Sequence, residues 1–478
     1  MYYLADGSSQ IGLGHLYRCA ALALSCEDAA PILLTASPEL AQKVWPASGT
    51  IHAVAYTPHD LLPRLAVRSV VVADSYAIDD SLCHTLERAG HVVIRLDDYA
   101  AEPISASVIL NHAADLDDYR SLQSPWSRCF AGLSYAVVRP AFRASPQAYA
   151  ESSVRHALVC LGGADPENLT TACVRALAQW GLQRITVVVG PAWSHSLQQL
   201  HAAACGQPLH IEHHVDAQAM VRLMDSCDLV VGSASTVAIE ACCRLRPCIA
   251  IQYADNQLRL AQYLAQHALA LVISPDQIAS LTRTSLPPAR LLAMVQAQLQ
   301  MVSDASSLPA VAGYAHKLAR VAMRTAEPQD CEQVLQWAND SGTRRYSVYP
   351  ETISPEDHRR WYAQTLQHDR RILLIGELDG QRTGYVRLDC PSPLHPQAYA
   401  VSIALDPARR GQGLSIPLLA AGLRHYSLHI HAAHQSPLRL MAVIHPDNYA
   451  SQKLFGALGF QYTGSRTLNA ANFMIYEK

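Results

Sequence analysis

The sequence predicts an α/β protein: two parallel-sheet domains in succession, then a smaller α+β domain. Three observations carry this reading. Short apolar runs alternate with alanine- and leucine-rich segments of helical period through the first part of the chain. That rhythm breaks at Arg139-Pro140-Ala141-Phe142-Arg143-Ala144-Ser145-Pro146 and restarts at His156. From about Val321 the texture changes to hairpin-like β segments followed by a helix at a glycine turn. A chain of 478 residues also exceeds what one hydrophobic core usually serves, and ~150 residues per domain gives about three.

In the first domain, residues 1–145, Tyr2 to Ala5, Pro31 to Thr35, Ser69 to Ala73, Val92 to Leu96 and Val108 to Leu110 read as buried strands. Helical stretches such as Leu16 to Ser25 lie between them, and this βαβ rhythm implies a parallel sheet covered on both faces. In the second, residues 146–318, strands are expected at His156 to Leu161, Ile185 to Val189, Leu229 to Gly232 and Cys248 to Gln252, with a helix around Ala289 to Val302. The stretch Ser303-Asp304-Ala305-Ser306-Ser307 then loosens the pattern. Two Rossmann-like domains joined by a short linker, with ligand at the carboxyl ends of their strands, constitute a GT-B arrangement. The third domain, residues 322–478, has strands at Ile372 to Leu378, Gln381 to Leu388, Ala398 to Leu405 and Leu438 to Ile444, and a helix from Ile416 to Tyr426.

Bulk composition narrows the function. Half the residues are hydrophobic and 16% are charged, with a formal net charge of −3 and no long basic run. Nucleic acid is therefore not an expected partner, since its binding normally shows as a basic stripe. The thirteen cysteines include a vicinal pair, Cys242-Cys243, and form no C-x-x-C, which reads as buried reduced thiols. No signal-peptide pattern opens the sequence, and no apolar stretch approaches the ~20 residues of a membrane-spanning helix. A soluble, cytoplasmic protein without membrane or metal is expected.

The first chemical signal is Gly12-Leu13-Gly14-His15, followed by Arg18-Cys19. Its glycines let the backbone leave the first strand sharply and admit a ligand closely. The helix that follows offers unpaired N–H groups to an anion. An imidazole, with an ordinary pKa of roughly 6.5, can take a proton from water near neutral pH, although a histidine here can also simply start a helix. In the second domain Leu161-Gly162-Gly163-Ala164-Asp165-Pro166 is a glycine turn after a strand. Ser233-Ala234-Ser235-Thr236 follows another strand and opens a helix carrying Glu240. These donors could hold a diphosphate while Glu240 accepts from ribose; alternatively the segment is a helix cap. Asp97-Asp98 could form a glycosidase-type carboxylate pair or serve structurally at a strand end.

These residues resemble a known family. Asp6-Gly7-Ser8-Ser9-Gln10-Ile11-Gly12-Leu13-Gly14-His15, with Arg18-Cys19, is similar to the N-terminal signature of the PseG family, UDP-sugar hydrolases of pseudaminic acid biosynthesis related to the MurG glycosyltransferases. The likeness continues through Asp74-Ser75-Tyr76, Asp97-Asp98, Gly132 to Phe142, Gly162 to Pro166 and Asn256-Gln257, covering essentially residues 1 to 300. It implies His15 as the catalytic residue. It also implies a substrate site drawing on Asp6, Gly14, Arg18, Gly163, Ser235, Thr236 and Glu240, with Asn256 and Gln257 facing the sugar. Leu4 stands where the family has an arginine, and Ser233-Ala234 replaces a Gly-Gly pair.

The second glycine turn, Arg410-Gly411-Gln412-Gly413-Leu414-Ser415, follows the strand ending at Leu405 and opens a helix, so successive N–H groups can cradle an anion. Downstream, Asn448 opens a segment that ends in Leu458-Gly459-Phe460. Together these resemble the GNAT N-acetyltransferases. The resemblance implies acetyl-CoA as co-substrate, with its pyrophosphate on residues 410–415 and Leu405 and Asn448 beside it. Phe455 occupies the place of a tyrosine that reprotonates the thiolate in many members; Tyr449 and Tyr462 are the alternatives. The stretch around Trp337, Arg344, Arg345, Tyr346, Ile353, Ser354 and His358 resembles the PseH acetyltransferases, which implies Arg344 and His358 on the nucleotide phosphate.

The expectation is thus a GT-B pair of Rossmann-like domains followed by a C-terminal α+β GNAT domain, acting on UDP-sugars as hydrolase and acetyltransferase with separate cores. Two rivals remain: a MurG-like glycosyltransferase with an accessory acetyltransferase, and a hydrolase carrying a non-catalytic acetyl-CoA-binding domain.

Overall fold

The computed structural model describes residues 1–8, 13–149, 153–163, 165–190, 193–213, 215–302, 307–390, 398–431 and 438–478. Of the motifs above, Ser9 to Gly12, Ala164 and Ser303 to Ser306 lie outside the described residues.

The first sheet contains β1 (Tyr2–Ala5), β2 (Ile32–Thr35), β3 (Thr50–Ala53), β4 (Val70–Asp74), β5 (Val92–Leu96), β6 (Val108–Asn111) and β7 (Arg128–Ala131). All its pairings are parallel, in the order β3-β2-β1-β4-β5-β6-β7. The second contains β8 (His156–Cys160), β9 (Arg184–Val189), β10 (Leu209–His213), β11 (Leu229–Ser233), β12 (Cys248–Ile251) and β13 (Leu271–Ile273), again parallel, in the order β10-β9-β8-β11-β12-β13. Each order reverses direction next to its first strand, between β1 and β4 and between β8 and β11. At such switch points the strand-end loops diverge and leave a crevice for ligand.

Both faces of these sheets are covered, as the continuous apolar runs require. Along β4, Val70 and Val72 point into one core and Val71 and Ala73 into the other, the period-2 alternation of an extended strand. The chain passes to the second sheet through residues 133–142, where Leu133, Ala136, Val138 and Phe142 sink into the core of that sheet.

The third sheet is mixed. It comprises β14 (Val321–Thr325), β15 (Arg371–Leu378), β16 (Gln381–Asp389), β17 (Tyr399–Leu405), β18 (Leu440–Ile444), β19 (Gln461–Leu468) and β20 (Ala471–Glu477), in the order β14-β15-β16-β17-β18-β20-β19. Among the described residues only β17 and β18 run parallel, and they pair at Tyr399–Leu440 and Ala400–Met441. Beyond that register the two strands part and open a wedge.

The cores are not separate, contrary to expectation. The helix Ser307–Arg320 lies against β4, β5, the helix Gly14–Ser25 and the helix Ser415–His425. Its Leu308, Val311 and Leu318 join Leu16 and Val72 of the first sheet region and Leu374 and Leu418 of the third into one buried apolar cluster. Burying a leucine-sized side chain is worth ~1.5–3 kcal/mol, so this shared cluster ties the two regions energetically. No helix among the described residues is long and apolar enough to cross a membrane.

Candidate active sites

The helix Gly14–Ser25 begins just past the end of β1, and β4 ends at Asp74 beside it, so the first switch point brings these residues together. His15 Nδ1 lies 2.7 Å from Asp74 Oδ1. A carboxylate only accepts, so the Asp74 contact favours the tautomer with its proton on Nδ1 and its lone pair on Nε2; Arg18 Nη2 also approaches Nδ1 at 3.1 Å. Arg18 donates through Nε to Asp74 Oδ2 at 3.0 Å and through Nη2 to Asp98 Oδ2 at 3.0 Å, one guanidinium fork bridging two strand ends. Tyr76 packs edge-on against the imidazole at 4.6 Å and donates to Asp98 at 3.3 Å. Burial alone would lift the Asp98 carboxyl, but Arg18 outweighs it and holds the group well below the usual carboxylate range. Burial, and then the positive charge of Arg18, lowers the nearby His112 to about 4, so that imidazole is neutral at physiological pH.

Two cavities meet at His15. The larger, about 400 Å³, runs along Asp74, Tyr76, Asp97, Asp98 and Tyr99. The other, about 170 Å³, lies between the first and second sheets. It brings Gly14, His15, Arg18 and His112 opposite Ser235, Thr236, Asn256 and Gln257. Thr236 begins the helix Thr236–Cys243, and no side chain caps it: the Ser235 hydroxyl turns to Ser233 Oγ at 2.6 Å. The capping alternative is therefore absent, and a helix N-terminus opens onto the cleft.

Other residues assigned from sequence are engaged elsewhere or only border the cleft. Asp6 accepts the Ser75 hydroxyl at 3.0 Å and borders neither cavity. Gly163 is exposed outside the cleft lining, where Gly190 packs so closely that a Cβ on it would lie 2.3 Å from the Gly163 carbonyl. Glu240 is buried and bound by Arg139 Nη2 at 2.9 Å, so it is not open to a ribose. Burial, opposed by Arg139, raises its carboxyl to about 7. Gln257 Oε1 is taken by the backbone N–H of Tyr253 at 3.0 Å, while Asn256 is exposed. Leu4 is fully buried in the apolar core, which suits its replacing a charged residue. Asp97 accepts from Tyr119 and from the Ala100 N–H, the structural strand-end alternative. The sequence placed Asp74 and Asp98 in motifs but did not link them or His112 to His15, because only strand order brings their three strand ends together.

At the second glycine turn, Gly411 and Gly413 have φ of +77° and +69°, in the left-handed region that disfavours side chains. Among the described residues no atom lies within 4 Å of where a Gly411 Cβ would be. Gln412 is exposed, Leu414 is buried as the residue before the helix, and Ser415 begins the helix Ser415–His425 without a side-chain cap. Leu405 ends β17 at the mouth of the wedge. This shape suits a pyrophosphate against backbone N–H groups with an extended chain entering between parted strands. Arg410 does not point into it: its Nη2 pairs with Asp340 and reaches Thr343 Oγ1 at 3.1 Å. Asn448 caps the helix Tyr449–Ala457, accepting from Ser451 N–H at 3.1 Å.

His358 overturns its expected phosphate contact. The helix Pro355–Leu366 buries His358, Tyr362 and Thr365 on one face, and His358 Nε2 donates to the Cys331 carbonyl at 3.0 Å. Arg344 donates to the Tyr349 carbonyl at 2.7 Å. Phe455 is buried edge-to-face with Phe460 at 5.0 Å, whereas Tyr449 and Tyr462 are exposed.

Residues 320–461 match the acetyltransferase (GNAT) domain family. Over 271 residues, 55% of this chain and 95% of the relative, the chain is 27% identical to a UDP-2,4-diacetamido-2,4,6-trideoxy-β-L-altropyranose hydrolase of Campylobacter jejuni subsp. jejuni serotype O:2. Over 145 residues, 30% of this chain and 85% of the relative, it is 28% identical to YwnH of Bacillus subtilis (strain 168), a candidate phosphinothricin acetyltransferase. A crystal structure of a candidate phosphinothricin N-acetyltransferase is 26% identical, with 33% of this chain and 97% of that chain covered and a TM-score of 0.28. The chain thus joins an N-terminal region homologous to that sugar-nucleotide hydrolase to a C-terminal GNAT acetyltransferase domain.

Proposed function

We propose that the chain is a bifunctional enzyme of UDP-amino-sugar metabolism. In this reading the C-terminal domain acetylates the 4-amine of UDP-4-amino-4,6-dideoxy-N-acetyl-β-L-altrosamine. The N-terminal region hydrolyses the resulting UDP-2,4-diacetamido-2,4,6-trideoxy-β-L-altropyranose to free sugar and UDP. The carrying observation is the cleft that sets the Asp74-anchored imidazole of His15 against the open helix N-terminus at Ser235 and Thr236.

For hydrolysis, His15 Nε2 takes a proton as water attacks the anomeric carbon and the bond to the diphosphate oxygen breaks. Asp74 fixes the tautomer and stabilises the imidazolium, as the carboxylate of a triad does. The N–H groups at Thr236 receive the charge that builds on the departing UDP. A leaving group that is already a stable anion needs no carboxylic acid, in keeping with Asp97 and Asp98 being engaged elsewhere.

For acetylation, the backbone N–H groups of residues 411–415 would hold the pyrophosphate, and the coenzyme supplies the acetyl group as a thioester. The wedge between β17 and β18 would carry that group toward the amine. The buried Phe455 has no proton to give, so thiolate reprotonation falls to solvent or another group.

The test is to supply the diacetamido sugar nucleotide to the purified full chain and resolve its products by NMR. Free sugar and UDP are expected. A glycoside formed with an added acceptor would favour a transferase instead.

A further inference from the structure

Lys317 belongs to the helix Ser307–Arg320, which packs between the first sheet and the third, and it precedes the first residue matched to the acetyltransferase family. Its ammonium nevertheless reaches the coenzyme loop, donating to the Gln412 carbonyl at 2.9 Å. A Cβ placed on Gly413 would lie 2.9 Å from the same nitrogen. Two of the cations nearby are spent: Arg410 pairs with Asp340, and Arg320 pairs with Asp379. Among the described residues Lys317 makes no ion pair with a carboxylate, and its side chain is exposed.

We propose that Lys317 is a phosphate-binding residue of the acetyltransferase site, supplied by the helix that joins the two halves and directed at the coenzyme pyrophosphate. The inference rests on residues 410–415 being the coenzyme loop. Backbone N–H groups give that loop direction but no net charge, and Arg410, its own cation, is held away. An ammonium with two hydrogens left beyond its bond to the Gln412 carbonyl supplies the charge. It stands where both glycines leave the backbone uncovered. The acetyltransferase site thereby includes a residue from outside its own domain.

The experiment measures acetyl-CoA and 3′-dephospho-CoA binding to the full chain by calorimetry, for the wild type, Lys317→Gln and Lys317→Arg. Gln keeps a donor for the Gln412 carbonyl but removes the charge. Lys317→Gln is expected to weaken both ligands about tenfold, in line with an exposed charge-assisted contact. Lys317→Arg should stay near wild type, and Lys317→Gln should show a shallower salt dependence of affinity. UDP release and melting temperature should be unchanged. Wild-type affinity in Lys317→Gln overturns the proposal while leaving the coenzyme loop intact. A loss seen with acetyl-CoA but not with the dephospho form reassigns the lysine to the 3′-phosphate and overturns the pyrophosphate contact. Absence of binding by the wild type overturns the coenzyme-loop reading together with the lysine.

Discussion

Arg424 Nη1 donates to Glu87 Oε2 at 3.1 Å, joining the penultimate residue of the helix Ser415–His425 to the penultimate residue of the helix Asp80–Arg88. The pair is buried, and the guanidinium also reaches the His91 carbonyl at 3.1 Å. Glu87 accepts in addition from the Val93 N–H at 2.9 Å and the Ser107 hydroxyl at 2.9 Å. Burial lifts the Glu87 carboxyl despite Arg424. Asp79 and Asp80, at the other end of its helix, border the larger cavity at His15. One ion pair and one shared apolar cluster therefore link the two catalytic regions.

Arg424→Met should destabilise the protein by about 3–5 kcal/mol, the usual cost of leaving a buried charge without its partner. The double variant Glu87→Gln with Arg424→Met should recover much of that loss. Calorimetry should show the first and third sheets melting together in each protein. A shift confined to a separate C-terminal transition would mean that the shared cluster does not couple them.

Asp74→Asn should lower kcat for UDP release by roughly 10²- to 10⁴-fold, because the amide no longer selects the tautomer that leaves Nε2 free. UDP affinity should change little, since the proposed diphosphate donors lie at the start of the helix Thr236–Cys243, away from Asp74. Steady-state kinetics with parallel UDP titrations separate the two effects. An unchanged kcat would remove the Asp74–His15 pair from the reaction.

Glu240 gives a pH signature. Its folded-state pKa of about 7 stands above the ordinary carboxylate value. The folded protein therefore holds a proton that the unfolded chain has released, and stability falls as pH rises through this window. The effect is on the order of 3 kcal/mol at most. Glu240→Gln should flatten that slope in denaturant unfolding measured between acid and neutral pH. Parallel slopes in the two proteins would contradict the assignment.

Gly413→Val should abolish thiol release with acetyl-CoA. At φ +69° a β-branched residue is strained, and its Cβ would meet Lys317 Nζ. Normal turnover would place the coenzyme elsewhere.

In the two parallel sheets the apolar runs of the sequence revealed the central strands and missed β3, β7, β10 and β13, and in the third sheet β14, β19 and β20 were missed. The first four are the edges of the parallel sheets. β3 and β10 are largely exposed and β13 is three residues long, so no continuous apolar run marks them. His15, Arg18, Ser235 and Thr236 were legible because glycine turns and helix starts are local patterns. Asp74, Asp98 and His112 join them through β4, β5 and β6, which pairing rather than sequence distance makes neighbours. His358 went the other way: the PseH resemblance implied a phosphate contact, but its i+4 and i+7 partners Tyr362 and Thr365 mark an inward face.

The most direct test of two successive activities uses His15→Ala with the 4-amino sugar nucleotide and acetyl-CoA, following thiol and UDP release in one reaction. Thiol release should continue near the wild-type rate while UDP release falls by at least about 10²-fold, so that the acetylated sugar nucleotide accumulates. Undiminished UDP release would contradict the account.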